Sequence, residues 1–536
     1  MIDVHDYHQR SKHGLDRYAA GPGYLDWSSQ PDPFRRFAGC AITALPFAAD
    51  GLETAYAALF RPGAVPAAPL DLAGVGALLE LSFGLSAWKQ AGGERWALRC
   101  NPSSGNLHPT ECYVVVAGVA ALPDGVHHYV SHDHALEQRC CAALPFQGLL
   151  LGLSSVHWRE AWKYGERAYR YCQHDAGHAL AALRYAAGAL GWRVRLLDGW
   201  GDADIAALLG LDRPEDFAGA ENEHADLLCA VETGSAMAGA FRAEDAEAIL
   251  DAVRNASWQG KANRLSAVHG HDWPVIDEVA HAAVKPRTVP TASVLPDLPS
   301  LLPTPCDDAA ADLIHRRRSA QGFDGVTAIT AKAFFRILDA TLPRGDVLPF
   351  DAWVWPPRVH LAIFVHRVVG LAAGLYFLAR SSDGESLGRQ AFRSEFDWQT
   401  VDGAPAHMRL YRLLGADCRR AARSLSCHQD IASDGAFSLG MLAEFDAALE
   451  EGPWVYRRLF WESGMIGQAL YLEAEASGAR GTGIGCFFDD AVHEVLGVSG
   501  SALQSIYHFT VGAPLVDQRL QTLPPYGHLH RKGDAE

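Results

Sequence analysis

The chain has 536 residues, 49% of them hydrophobic and 20% charged, and a formal net charge of −17 at pH 7. That length holds two or more ordinary domains, while the acidity argues against a nucleic-acid backbone or an anionic membrane surface as partner. No apolar run reaches membrane-spanning length. The opening MIDVHDYHQRSKHG lacks an apolar signal core, and the 11 scattered cysteines contain no C-x-x-C pair, which suits a reducing cytoplasm.

In chain order, the first fifty residues read as an ordered extended arm, because Tyr24, Trp27, Phe34 and Phe37 are costly to leave in water. Leu70–Ser86 has the apolar spacing of a helix. The polar loop NPSSGN at 101–106 runs into a β-branched strand, Glu111–Val116, and Asp124-Gly125 turns the chain into a second strand, GVHHYV. An Ala-rich helix is expected over Trp162–Gly191 and a short strand over Leu227–Val231. Residues 236–305 are mixed and end in a Pro-rich stretch that reads as a linker.

Beyond that stretch much of the order recurs. A helix at Ala331–Ala340 precedes a strand at Val359–Val365, and GLYFLA at Gly374–Ala379 matches GVHHYV. W-K-Y at Trp162–Tyr164 and the Gly177 stretch align with W-V-Y at Trp454–Tyr456 and the Gly467 stretch. The expectation is an internal duplication of one α+β domain. The division is residues 1–50 as the arm, 51–235 as the first copy, 236–305 as linker, 306–525 as the second copy and 526–536 as a tail.

Several clusters carry chemistry. RRRSAQGFDG (Arg316–Gly325) sets clustered guanidiniums beside a hydroxyl, a combination that grips phosphate. GTGIGCFFDD (Gly481–Asp490) permits close backbone approach to a ligand, although such runs also cap helices. Lys163 and Tyr164 suit proton transfer if burial lowers the lysine pKa, because the second copy replaces this lysine with Val455. HHYVSHDH (His127–His134) mimics a metal cluster, but strand alternation divides its histidines between two faces. HDAGH (His174–His178) has Asp for the Glu of a zinc helix. No metal site is expected.

Together these motifs resemble the FMN-dependent nitroreductase superfamily. The first copy is most similar to its SagB-type branch, the azoline-oxidising dehydrogenases of thiazole/oxazole peptide biosynthesis. The branch's R-x-x-P-S-x-G-x-x-x-P loop stands at Arg99–Pro109, its G-x-x-x-Y strand at Gly125–Tyr129, its W-K-Y-x-x-R-A-Y-R at Trp162–Arg170 and its D-x-G-H at Asp175–His178. The resemblance implies a nitroreductase-like α+β fold whose two tandem copies form an intramolecular pseudo-dimer. It implies an FMN held by Arg99, Pro102, Ser103, Ser104, Gly105 and Asn106 from the first copy. From the second copy it implies Arg317, Arg318, Ser319, Gln321, Gly483, Ile484, Gly485, Cys486, Phe487 and Arg519. Gln321 replaces the basic residue usual at its position.

The first copy lacks an R-R-S opening, and the second has the bulky LPFDAWVWPPRV in place of the Pro-Ser-Ser loop, so one FMN per chain is expected. Lys163 and Tyr164 are the implied base and proton-relay partner. The expected substrate is an azoline-containing peptide or a small metabolite, in a chain able to oligomerise further. Two alternatives stay open: an NAD(P)H-dependent nitroreductase or quinone reductase, and a flavin-binding subunit without turnover in a peptide-modifying complex.

Overall fold

The computed structural model describes residues 2–234, 242, 245–292 and 295–529. The expected linker start at 236 and the tail from 530 onward lie outside the described residues, as do 293 and 294 of the Pro-rich stretch.

The N-terminal arm opens with helix α1 (Val4–Arg10), capped by the Asp3 side chain. It then crosses the molecule in extended form and short turns. Its anchors are not all the expected aromatics: Tyr24 and Trp27 are 82% and 63% exposed. Tyr7, Arg35 and Phe37 are buried instead, and Arg35 pairs with Glu223 at 2.9 Å. Helix α2 (Leu72–Phe83) follows, with Asp71 at its N-cap.

Beyond a hairpin at 85–99, six strands build the main sheet of the first half: β1 (Thr110–Ala117), β2 (Gly125–Val130), β3 (Ala135–Cys141), β4 (Gly148–Ser155), β5 (Arg193–Leu196) and β6 (His224–Glu232). They pair antiparallel in the spatial order β3-β2-β1-β4-β6-β5. Between β4 and β5 lie helices α3 (His157–Tyr164) and α4 (Ala168–Ala189). The single helix expected over Trp162–Gly191 is therefore two. Gly165 sits between them at φ 56°, in the left-handed region that favours glycine, and a Cβ there would lie 2.4 Å from the Ala20 carbonyl oxygen of the arm.

The second half contains helix α5 (Ala331–Asp339), then β7 (Val359–Val365), β8 (Gly374–Ala379), β9 (Arg409–Gly415) and β10 (Phe437–Glu444). Helix α6 (Val455–Ala476), strand β11 (Arg480–Ile484), helix α7 (Asp489–Leu496) and strand β12 (Leu503–Gly512) complete it. Its sheet runs β9-β8-β7-β10-β12-β11, again antiparallel and strand for strand the order of the first. Part of the expected Gly-rich loop is thus strand β11, with the turn beginning at Gly485.

Helices α4 and α6 cross in backbone contact at the centre. A Cβ on Gly177 would lie 2.2 Å from the Trp461 carbonyl oxygen, and one on Gly464 would lie 2.3 Å from that of His174. Both helices are buried along their whole length. No larger residue fits at either crossing point, so these two glycines set how closely the halves approach.

The region read as a linker is more structured than its composition suggests. It contains helices at Ala246–Arg254 and Pro274–Ala282. The Pro-rich stretch then binds the second half: Leu302 N–H donates to Asp339 at 2.9 Å, and Arg344 donates to the Pro299 carbonyl at 2.8 Å. Hydrophobic Leu295, Leu298 and Leu301 pack on the main core. A third, three-stranded sheet joins the halves directly, because the hairpin Leu85–Ala91/Glu94–Arg99 pairs with Gln521–Leu523. None of the helices among the described residues is long and apolar enough to cross a membrane.

Candidate active site

A cavity of about 490 Å³ opens where the two halves meet. One wall is the loop Asn101–Asn106 with the start of α4; the other is Arg317–Gln321 with β11 and its turn to Cys486. The hairpin strands and the segment Leu515–Thr522 form the rim. Most expected site residues line it: Arg99, Pro102, Ser103, Ser104, Gly105, Asn106, Tyr164, Arg317, Arg318, Ser319, Gln321, Gly483, Ile484, Gly485 and Cys486.

The loop is held in an uncommon shape. Gly105, Asn106 and His108 all have positive φ, at 58°, 60° and 52°. Left-handed backbone at non-glycine residues is unfavourable and persists only where the surroundings impose it. Here they do: His108 N–H donates to Ser103 Oγ at 2.8 Å, Asn106 Nδ2 to the Ala97 carbonyl at 2.9 Å, and Arg159 to the His108 carbonyl at 2.7 Å. Asp175 accepts from both the backbone N–H and the hydroxyl of Ser104, at 3.1 and 3.0 Å. The loop is thereby tied to the first turns of α4, and its free edge faces the cavity.

The opposite wall is cationic. Arg317 is buried; its Nε and Nη2 donate to the Cys100 and Arg99 carbonyls at 3.2 Å, and its Nη1 has no partner. Arg318 donates to the His315 and Ser86 carbonyls at 2.6 and 2.8 Å. Lys89 and Arg480 complete the group at the rim. Burial lowers the Arg318 pKa to about 10 and pushes Arg317 and Lys89 down as well. Each shift says that a positive charge is being held without a full complement of counter-charge, and a bound anion would supply one. Arg317–Gln321 is pinned to β11, since Ala320 N–H donates to the Gly481 carbonyl and Thr482 Oγ1 to the Ala320 carbonyl, at 3.0 and 2.9 Å. Ser319 Oγ and Gly483 N–H both bond to Tyr471 Oη, at 2.8 and 3.0 Å.

Lys163 lies just behind the lining, against the loop. A Cβ on Gly105 would lie 2.5 Å from Tyr164 Oη and 3.0 Å from Lys163 Nζ, so both functional groups abut this one glycine. Desolvation lowers the Lys163 pKa and raises that of Tyr164. Glu160, one helical turn before Lys163, is fully buried with neither carboxylate oxygen hydrogen-bonded, and burial pushes its pKa well up. Asp175 is raised to about 7 by burial. The arrangement gathers, from α3 and α4, an amine biased towards neutrality and two carboxyls biased towards holding a proton.

Two expected residues are elsewhere. Arg519 is 88% exposed, paired with Asp517, and outside the cavity lining. Its side chain follows an exposed turn in which Asp517 accepts both its backbone and guanidinium hydrogen bonds. Phe487 is buried behind the wall, stacked on His508 at 4.4 Å and under the Arg167 guanidinium at 4.7 Å. The lining also includes Lys89, Gln429, Tyr471, Arg480 and Tyr507, which no sequence motif marks, and Asp175 and His178 of the D-x-G-H motif, to which no site role was assigned. His178 bonds Tyr507 Oη at 3.1 Å, and burial lowers its pKa to about 3, so it is neutral.

The histidine-rich strand is occupied by internal bonds. His128 lies between Glu111 and Glu137 at 3.1 and 3.0 Å, and His127 bonds the Pro123 carbonyl at 2.8 Å. Among the described residues, His132, Asp133 and His528 could converge on a cation, but the Arg36 guanidinium bonds both His132 and Asp133 and opposes a second positive charge there.

In the bulky segment expected to replace a second Pro-Ser-Ser loop, Leu348, Phe350, Trp353 and Trp355 are buried. Asp351 forms a two-point ion pair with Arg184, with both contacts at 2.7 Å.

Two antiparallel sheets of matching strand order, packed through α4 and α6 with a cavity between the halves, define an α+β fold. No family model matches the chain. Over 149 residues it is 28% identical to a "putative nitroreductase" of Methanocaldococcus jannaschii, covering 25% of this chain and 73% of that one. A crystal structure of a "putative nitroreductase" from Anabaena variabilis superposes with a TM-score of 0.67 at 23% identity, covering 96% of this chain and all of that one. The two-sheet architecture is therefore shared with that structure.

Proposed function

We propose that the chain is an FMN-dependent oxidoreductase of SagB type, built from two tandem nitroreductase-like copies that share one flavin site. The observation that carries this reading is the division of one cavity between a Ser/Gly loop from the first half and an arginine cluster from the second. The residues fit the cofactor. The unpartnered Nη1 of Arg317, with Arg318 and Ser319 beside it, suits a phosphate. The Pro102–Asn106 edge and the Gly483–Cys486 backbone offer two close, polar walls for a flat ring. The buried aromatics and ion pair of the LPFDAWVWPPRV segment favour one flavin per chain over two.

When bound, FMN would supply hydride chemistry at a planar ring. The chain's own residues would bind, orient and move protons. Arg317, Arg318 and Ser319 would hold the phosphate. The loop fixed by Asp175 would set the ring's depth. Lys163, held beside Gly105 and biased towards its neutral form by desolvation, would take the substrate proton, and Tyr164 would pass it on. The proposed substrates are an azoline-containing peptide or a small metabolite with an oxidisable bond to carbon. The names of the two relatives favour a second reading, a nitroreductase, for which NAD(P)H is the donor we propose.

The test is cofactor content. Purified protein should carry one FMN per chain and oxidise an azoline model substrate. A stoichiometry of two would refute the single shared site, and a colourless protein that binds no added FMN would refute the flavin reading. Rapid reduction by NAD(P)H with turnover of nitroaromatics, but none of azolines, would select the second reading.

A further inference from the structure

Two cysteines meet at the outer end of the cavity. Cys486 follows β11 and lines the cavity. Cys427 sits in a turn of the other chain segment, where it and His428 both have positive φ, at 52° and 59°. The two turns are bonded backbone to backbone, with Phe488 N–H donating to the Leu425 carbonyl at 2.8 Å. Gln429 Nε2 ties them again, donating to the Cys486 and Ser426 carbonyls at 3.1 and 2.9 Å. Across this double clamp the Cys427 and Cys486 side chains are close enough to interact. Both cysteines are partly exposed, whereas Cys100, Cys112, Cys172 and Cys229 are buried.

The surroundings favour a thiolate at Cys486. His13, from the N-terminal arm, interacts with its sulfur. His13 Nδ1 accepts from Ala19 N–H at 2.9 Å, so in the neutral ring the proton is on Nε2. The Arg167 guanidinium donates to the Gly485 carbonyl at 3.2 Å, one residue away. The Cys427 thiol, the His13 contact and the Arg167 charge hold Cys486 well below the ordinary thiol range, while the interaction with Cys486 raises Cys427. Tyr18, 53% exposed, interacts with Cys427.

We propose that Cys486 and Cys427 form a dithiol–disulfide exchange site that takes a low-molecular-weight disulfide as its substrate. The Cys486 thiolate attacks one sulfur of the substrate; its S–S bond breaks, a mixed disulfide forms, and one thiolate leaves and takes a proton from water. Cys427 gives its proton to solvent and attacks Cys486 Sγ; the mixed disulfide breaks and the second thiolate leaves and is protonated. Two cysteine thiols are oxidised, one substrate disulfide is reduced to two thiols, and excess monothiol reverses the sequence. The pair needs no other group in the cavity, so this activity stands apart from the flavin reading. The attacking and resolving roles follow from position: Cys486 carries the stabilising contacts, and Cys427 is the thiol next to it.

Incubating the reduced full-length protein with glutathione disulfide, then quenching by alkylation and mapping peptides by mass spectrometry, tests the proposal. The expected result is loss of two thiols per chain, a Cys427–Cys486 crosslink, and no retained glutathione, all before the exposed Cys141 is modified. C427S should trap glutathione on Cys486; C427A provides the same readout should the serine variant not fold. C486S should give neither crosslink nor rapid adduct. Absence of the crosslink in the wild-type protein, or modification of Cys141 as fast as of Cys486, would overturn the proposal.

Discussion

Gly105 is the residue on which the loop, Lys163 and Tyr164 converge, and G105A separates their contributions. Two penalties act there. The first is backbone: Gly105 has φ 58°, and an alanine in the left-handed region costs roughly 1–2 kcal/mol. The second is steric: the new methyl would lie 2.5 Å from Tyr164 Oη and 3.0 Å from Lys163 Nζ, inside contact distance. The Tyr164 ring packs edge-on against Tyr171 at 4.5 Å, which resists its displacement, and overpacking of this kind costs about 1–3 kcal/mol. Gly92 supplies the control, since it has φ 56° and nothing within 4 Å of its would-be Cβ. G92A should therefore lose only the backbone term, and the difference between the two variants in denaturant unfolding isolates the clash, roughly 1–3 kcal/mol. G105A should also lose turnover, because both proton-handling groups must shift. Equal stability of G105A and G92A, with G105A fully active, would refute the placement of Lys163 and Tyr164 against the loop.

K163A should retain bound flavin while turnover falls by about 10²–10⁴-fold, the usual contribution of a positioned general base; retained turnover in a steady-state assay removes Lys163 from the mechanism. R318A should weaken FMN binding by roughly 1.5–3 kcal/mol, measured by fluorescence titration, whereas R519A should leave it unchanged because that side chain is 88% exposed and outside the cavity. For Asp175, burial raises the folded pKa to about 7, above the value of about 3.9 in an unfolded chain. Between those values the folded state binds more protons than the unfolded one, so this group makes stability fall as pH rises from about 4 to about 7. D175N should abolish that component, so wild type minus D175N stability should decline across that window; a flat difference in pH-dependent urea melts contradicts the burial argument.

Much of the fold was legible because its elements carry strong local signals. Strands such as Val359–Val365 and Gly374–Ala379 are continuous apolar runs and appear at the expected residues. The W-K-Y and W-V-Y motifs do not occupy matching places, since the first ends α3 whereas the second begins α6. Local signal failed where one distant contact decides. Gly165 breaks the long helix because the arm crosses at that point, and nothing in the surrounding residues announces the crossing. The Pro-rich stretch read as a linker because prolines deny it regular structure, yet its leucines and carbonyls find partners on the second half. Tyr24 and Trp27 stay exposed although their size argued for burial.

The same division holds at the site. Residue types and order by themselves determined which groups face the cavity from each half, because Pro102–Asn106 and Arg317–Gln321 are contiguous stretches whose chemistry is local. Only the tertiary structure decided what those groups do for one another. Asp175 reaches back to Ser104. Lys89 and Arg480 join the arginines from separate strands. The arm delivers His13 to Cys486. Arg519, placed near the flavin by sequence position, lies outside the cavity. The physical reason is that burial, which sets charge and reach, depends on what packs from elsewhere in the chain, and that is fixed by the crossing of α4 and α6 rather than by neighbours in sequence.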